Sequence, residues 1–536
     1  MSLPLLKSFF IAGIFGYVHG FSTFQWPNPV LSHVDQLFFE DDMGGFIQGC
    51  PIRDNTTIAA QWLRIAYHDS ASHNVSEGTG GVDASIQYEL DRLENIGEGM
   101  TASLRDFNGF GTTPFFGMAD MIALAAVLAV EGCGGPIIPY SAGRVDATVA
   151  GPSTVPQPQQ PLASHIASFQ SQGFNESEMI SLVSCGHTFG GVRQGDFPLI
   201  VTESLGATDV ATFDTTPAFD NTIVSEYLMN TTKDVLVVGP NITTRSDFRI
   251  FSSDGNATMQ NLLSPDTFSE TCANLIERMI NNVPNGVNLT EPITEPFDYL
   301  ISDPLLSYQN GTLIMTTTLR VLNPSTGATV TMLWADRQGS FCPSTGCSVQ
   351  SSGSQNVVFN AGPTTQNLAA ARYSFNATIN ATSSISKFWF EIDNNDGSDS
   401  IVVDNGGSGF VVEQDSLFVD VIRSKELFVV TPTSFNMVYD IVVAVRGDAG
   451  SISTSMTAFS GTSLASAPPF TPVITPTTLQ LDGNNPPEGG FTFYNANFTL
   501  LSVTYLSMAA TVAGTTYTQE NFDLTAVTFD IVDVGF

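Results

Sequence analysis

Basic residues are scarce in this chain. Its 536 residues carry 18 Lys and Arg against 52 Asp and Glu, a formal net charge of −34. A surface of that sign repels phosphate backbones and anionic headgroups, so neither nucleic acid nor a membrane surface is expected as a partner. Cysteine is rare too: six in so long a chain do not make a disulfide scaffold. Histidine is equally rare, at six. Long apolar runs are lacking except at the N-terminus, where MSLPLLKSFFIAGIFGYVHG sets one lysine before the apolar stretch 8–18 and small Gly20. That pattern predicts a secretory leader over 1–20, too short to span a bilayer, and hence a secreted, extracellular protein. The run MADMIALAAVLAV, 118–130, contains Asp120 and is likewise too short to cross. No hydrophobic tail is seen at the C-terminus, so no glycosylinositol anchor is expected.

Secretion predicts glycans and disulfides. N-x-S/T triplets begin at Asn55, Asn74, Asn175, Asn230, Asn241, Asn256, Asn288, Asn310, Asn376, Asn380 and Asn497. Cys342 and Cys347 are close enough to close a local loop. Cys50 and Cys133 need a fold to bring them together, and Cys185 and Cys272 are either paired or merely buried.

The length exceeds one ordinary domain. Up to about residue 292 the apolar residues recur at three- and four-residue spacing, as in IAAQWLRIAYHDS and ESEMISLVSCGHT, which predicts helices. Asn175 followed by Glu178 predicts a capping box. Beyond that point TLIMTTTLRVLN, TVTMLWADR, KFWFEID and YDIVVAVRG are β-branched, aromatic and partly alternating, with Gly, Asn, Ser and Pro between them. The expected fold class is multidomain: a mainly α-helical domain over 21–293, then an all-β region of antiparallel sandwiches, divided as 294–409 and 410–536. Joints are expected near 394–409 or 466–478.

The chemistry concentrates in WLRIAYHDSASHN, 62–74. On a helix Arg64 and His68 are four apart and share a face, while Tyr67 and Asp69 are rotated away in opposite senses. A base and a fixed cation converging on one spot can deprotonate a small molecule and stabilise its departing anion. The bland reading is a buried His–Asp pair. Downstream, GGVDASI places Gly81, Asp83 and Ser85 in an oxygen-rich turn that, with Asp69, could hold a hard cation. Glu89 and Asn95 could supply a carbonyl that accepts the Nδ1 proton of His68 and leaves Nε2 as base. A second histidine, His187, ends the helix ISLVSCGHT after small residues, which would let a flat cofactor approach, or else it serves the helix dipole. Asp247 in RSDFRIFSS is a candidate acceptor behind it.

The series LRIAYHDS, GGVDAS, ENIG, SAGRVDAT, SCGHTFGG, FDTTPAFDN and RSDFRIFSS, in this order over roughly 40–292, resembles haem peroxidases of the plant, fungal and bacterial superfamily, and is most similar to a secreted fungal branch between the ascorbate/cytochrome c and ligninolytic enzymes. The β half has no counterpart in it. The resemblance implies haem b, reduction of hydrogen peroxide and oxidation of small phenolic donors through iron–oxo intermediates. It implies His68 as distal acid–base, Arg64 as the group polarising the O–O bond, Asn95 as orienter of His68, His187 as iron ligand and Asp247 as its partner. Tyr67 stands where relatives carry Phe or Trp beside the haem. Phe213 stands where some place a Trp, so no protein radical is expected there. A distal calcium would take Asp69, Gly81, Asp83 and Ser85, and a proximal one Thr188, Asp214, Thr216 and Asp220. The spacing within FDTTPAFD is one residue shorter than the family pattern. Thr57 and Gln61 stand near the positions of manganese-binding glutamates, and Leu182 stands where a surface tryptophan oxidises polymers, which points to small donors at the haem edge.

Two other readings remain open on sequence alone. One is a secreted cell-wall or carbohydrate-binding protein with an inactive peroxidase domain, its β region meeting wall polysaccharide through aromatics such as Trp334, Trp389 and Phe390, although strand aromatics are more often core. The other is a calcium-stabilised helical domain using His68 and His187 for a transition metal. His73 reads as a surface or supporting residue and His165 as an ordinary helix histidine.

Overall fold

The computed structural model describes residues 28–533, apart from 41, 303, 338–345, 360–367, 413–414, 431–434 and 501. The expected leader and Cys342, with its loop to Cys347, lie outside the described residues.

The first half is helical. Pro29–Phe39 starts on Asn28, whose side chain accepts from the Leu31 amide at 3.0 Å, with proline in the first turn. Met118–Gly132 is buried along nearly its whole length, so its sequence shows no polar face. Its one early acid, Asp120, meets Arg144 at 2.9 Å in the core and also accepts from the Gly143 and Arg144 amides. No helix among the described residues is long and apolar enough to cross a membrane. Two disulfides, Cys50–Cys133 and Cys185–Cys272, tie distant segments together and answer the pairing left open by spacing alone. The second fixes the end of Glu176–Gly186 to Pro265–Ile280.

The second half is all β. In the first sandwich the order is Gly353–Val357, Ala370–Asn380, Thr312–Leu322, Tyr299–Ile301, with Leu305–Gln309 also on Thr312–Leu322. Its partner sheet runs Ile401–Val403, Lys387–Asp393, Thr329–Ala335, Ser348–Gln350. Alternate residues of both, such as Met315, Phe375, Met332 and Phe390, fill the space between them. The second sandwich pairs a six-stranded sheet around Phe435–Arg446 with a four-stranded sheet around Ile452–Ser460 and Tyr505–Val512. Strand Phe435–Arg446 explains its own near-continuous apolar run. Tyr439, Ile441, Val443 and Val445 enter the second sandwich, while Val442 and Ala444 join Phe491 and Phe493 against the first.

The changeover between sandwiches lies between Val411 and Leu417 rather than at 409/410, because Phe410 and Val411 still pair with Phe388 and Lys387. The Gly- and Asn-rich stretch 394–409 is a connection inside one sheet, with Ile401–Val403 returning onto Phe390–Ile392. Nor is 466–478 a joint: Phe470 is buried in the helical core, and Val473–Thr477 pairs with Met456–Ser460. Trp334 and Phe390 are core residues, and Trp389 is half-buried.

The halves are locked together. Arg320, fully buried, meets Asp35 and Glu40 of the helical domain. Asn108 and Ser463 exchange hydrogen bonds at 3.0 and 2.8 Å. The Phe470 amide donates to Gln87 at 2.9 Å. Near this seam His33 sits edge-on to Phe115 and Phe116, with Nε2 buried and unpartnered. Burial lowers its pKa to about 4. An unfolded chain titrates near 6.5, so between those values the unfolded state holds a proton the native state lacks, and stability falls as pH drops from 6.5 towards 4. The loss is about 2 kcal/mol at pH 5. His33→Phe should therefore flatten that part of the profile, measured as denaturant midpoints between pH 7.5 and 5; equal slopes in both proteins would refute it.

Candidate active site

The helix Ile58–Ser70 begins on Thr57, whose hydroxyl accepts from the Ala60 amide at 3.1 Å. Its apolar residues bury Trp62, Ile65 and Ala66 in the core, and this rotation turns Arg64, Tyr67 and His68 into a cavity of about 730 Å³. The second histidine helix, Glu176–Gly186, carries the expected capping box between Asn175 and Glu178. It delivers His187 at its C-terminal cap into the same cavity.

His68 Nδ1 lies 2.8 Å from Asn95 Oδ1, and the Asn95 amide donates to the Glu89 carbonyl at 3.1 Å. An amide nitrogen committed to a carbonyl forces the oxygen of Asn95 towards the imidazole, so Nδ1 carries the proton and Nε2 is bare. Burial, the Arg64 charge and the nearby His187 lower the His68 pKa to about 3, although the Asn95 bond opposes them. Arg64 donates to the Glu94 and Ile96 carbonyls at 3.1 and 3.2 Å and lies over the Phe197 ring. Tyr67 stacks on Phe169, and burial raises its phenol pKa well above its ordinary value.

His187 Nδ1 lies 2.6 Å from Asp247 Oδ2, while Asp247 Oδ1 accepts from the Ser246 hydroxyl at 2.9 Å. Phe213 stacks nearly parallel on His187, with centroids 4.2 Å apart. Gly186 also lines the cavity, and a Cβ there would meet no protein atom within 4 Å.

Asp69 points away from the cavity. Its carboxylate accepts from the amides of Asp83, Ala84 and Ile86 at 3.0, 2.8 and 3.0 Å, and Ser85 Oγ lies 3.4 Å away. Burial and the charges of Asp83 and Glu89 push its pKa well up. Gly81 joins the same turn through Ser72, its amide donating to Oγ at 3.0 Å. The other oxygen cluster is also assembled. Thr188 Oγ1 bonds the Asp220 carbonyl, Thr216 Oγ1 donates to Asp220 Oδ2 at 3.1 Å, and the Thr216 amide donates to Asp214 Oδ1 at 2.9 Å. Among the described residues, no three His, Cys, Asp or Glu side chains converge as a metal site.

Several neighbours have no periodic signal in the sequence. His165 is buried, lines the cavity and lies 3.0 Å from the Gln157 carbonyl through Nε2. Asp196 and Phe197 reach the cavity from a loop nine and ten residues beyond His187. Glu226 stands beside Asp214 with a buried, unpartnered Oε2. His73 is buried rather than on the surface, 3.0 Å from the Gly80 carbonyl in the turn leading to Gly81. Thr57 is taken up as a cap, and Gln61 accepts from Arg53 at 2.8 Å. Leu182 is buried.

Residues 50–260 match the family model described as peroxidase. A WSC domain-containing protein of Arthroderma benhamiae is 38% identical over 295 residues, covering 52% of this chain and 40% of its own length. Putative L-ascorbate peroxidase 6 of Arabidopsis thaliana is 35% identical over 141 residues, 26% of this chain and 43% of its own. Mitochondrial cytochrome c peroxidase of Cryptococcus neoformans is 29% identical over 144 residues, 26% of this chain and 37% of its own. The chain thus spans less than half the length of each of these relatives. Residues 50–260, which carry both histidines of the cavity, are a peroxidase domain of the superfamily shared by plants, fungi and bacteria.

Proposed function

We propose that this chain is a haem-dependent peroxidase that reduces hydrogen peroxide and oxidises small phenolic donors. The observation that carries the reading is the opposite preparation of two imidazoles in one cavity: His68 held neutral by burial and the Arg64 charge, with its tautomer set by Asn95, and His187 made electron-rich by Asp247.

The cavity suits a flat tetrapyrrole. Gly186 leaves open space where a Cβ would stand, and apolar Phe213 and Leu236 line the cavity. Bound haem b would supply the redox-active iron that takes peroxide and passes on its oxidising equivalents. His187 would ligate it through Nε2, since Nδ1 is committed to Asp247, and the carboxylate strengthens that nitrogen as a donor. His68 Nε2 takes the proton from one peroxide oxygen and returns it to the other, which becomes water. Arg64 supplies fixed positive charge to the departing oxygen, its guanidinium already oriented by two carbonyls. Asn95 and Glu89 keep His68 in the tautomer that makes the transfer work.

Calcium would be held by the cluster after His187. Asp214 Oδ2 and Glu226 Oε2 are buried without partners, and burial with the neighbouring Asp220 and Glu226 charges raises the Asp214 pKa to about 7. A hard cation held by Thr188, Asp214, Thr216 and Asp220 would relieve that repulsion and fix the backbone next to the iron ligand. A distal ion at Asp69, Gly81, Asp83 and Ser85 would act likewise behind His68. The two disulfides and the leader-like N-terminus support secretion. Contact of the β region with wall polysaccharide would have to use residues other than buried Trp334 and Phe390.

The absorption spectrum of the purified full-length protein tests the reading. A Soret band that shifts when peroxide is added is expected. A protein that takes up no haem, or whose band ignores peroxide, would refute it.

A further inference from the structure

The mouth of the cavity is both greasy and acidic. Leu93 and Leu199 line it while being 75% and 77% exposed, with Phe197 and Pro198 beside them. Exposed apolar side chains at a cavity entrance suit the face of an aromatic ring. The rim carboxylates are Glu94 and Asp196. The rim cation, Arg193, is shared between two carboxylates, and Arg64 lies deeper. Arg64 is turned onto two backbone carbonyls, and Arg193 lies 3.8 Å from Asp196 and 3.7 Å from Asp209 while donating to the Asp54 carbonyl. Gly97 makes room for Asp196. It has φ +115°, and a Cβ there would stand 2.7 Å from Asp196 Oδ2, so a larger residue would push the carboxylate off the rim.

We propose that Asp196 sorts reducing substrates by charge, admitting neutral and cationic aromatic donors and turning away anionic ones. The inference rests on the peroxidase reading and adds a donor class to it. In one turnover two phenols each lose one electron and one proton, and hydrogen peroxide takes both pairs to become two waters. The carboxylate takes no part in that transfer. It sets the local concentration of the donor through a field that is strong at low ionic strength and screened by salt.

Three phenols that differ only in the charge of their side arm provide the test: tyramine, 4-ethylphenol and 3-(4-hydroxyphenyl)propanoate. With haem-loaded full-length protein at low ionic strength, kcat/KM for tyramine should exceed that for the propanoate about tenfold. Asp196→Asn should cut this ratio about fivefold, Asp196→Lys should invert it, and 0.5 M salt should flatten it in every variant. Taking ratios cancels any change in the shared peroxide step. Dissociation constants from equilibrium dialysis without peroxide should follow the same order. Ratios within twofold of wild type in both variants, by turnover and by binding, overturn the proposal. Should wild type oxidise none of the three, the peroxidase reading falls, and the dialysis ratios still decide the role of Asp196.

Discussion

His68→Leu should leave haem binding intact and slow the reaction with peroxide by about 10⁴-fold, the upper end of what a positioned acid–base group contributes. Leucine fills much of the imidazole volume, so the helix keeps its packing, and the pairing of His187 with Asp247 is untouched. What is lost is a neutral Nε2 at the one place where a proton must leave one oxygen and reach the next. The pH profile sharpens the expectation. Because burial, Arg64 and His187 hold the His68 pKa near 3, the base form is present at any pH above that value. The wild-type rate should therefore stay level as pH falls from 7 to 4 and decline only below. Stopped-flow recording of the Soret band gives both numbers. A variant within tenfold of wild type, or a wild-type rate that halves near pH 6.5 as an ordinary imidazole would, sinks the assignment.

That pair of histidines was visible in the sequence because chemistry left its mark on regular elements. Arg64 and His68 are four apart on one helix, and the helix bearing His187 announces its start with Asn175 and Glu178, so period and capping place the side chains. Asn95 and Asp247 lie outside those helices, so the sequence offered them as candidate acceptors without a spacing to fix them, and the motif order gave each its role. Asp196, Phe197 and His165 were not legible. They reach the cavity through loop and helix packing that no spacing encodes, and the role of Asp196 depends on a glycine 99 positions earlier whose missing Cβ leaves it room. In the β half, the composition of 394–409 and 466–478 suggested joints, but loops inside a sheet use the same Gly, Asn and Pro as loops between domains. The strand Phe435–Arg446 shows the converse. Its apolar run on both faces was written in the sequence, but only the stacked sandwiches show that it serves two cores.

Arg320→Met should cost about 3–5 kcal/mol of stability, far more than any surface change, because it strips a buried acid of its counter-charge. Arg320 and Asp35 are both fully buried; Arg320 Nη2 stands 2.9 Å from Asp35 Oδ2, and Nη1 stands 2.5 Å from Glu40 Oε1. The same nitrogen as the Asp35 contact also donates to the Phe297 carbonyl at 2.9 Å, and the Phe297 amide returns a bond to Asp35 at 2.7 Å. Burial pushes the Asp35 pKa up and Arg320 pulls it back, so removing the guanidinium leaves a desolvated carboxylate with one amide for company. Methionine keeps the volume of the stem and isolates the loss of charge. Since Asp35 lies on the first helix and Arg320 on a central strand of the first sandwich, the cost falls on the joint itself. Wild type should melt as one cooperative unit by calorimetry, and the variant should separate into two transitions, the helical one lower by several degrees. Adding Asp35→Leu to Arg320→Met should restore more than half of the loss, because replacing both partners removes the unpaired charge. A loss under 1 kcal/mol, or no recovery in the double variant, would mean that the β region is merely tethered to the peroxidase domain, and that the ion pair is not what makes the two halves fold as one.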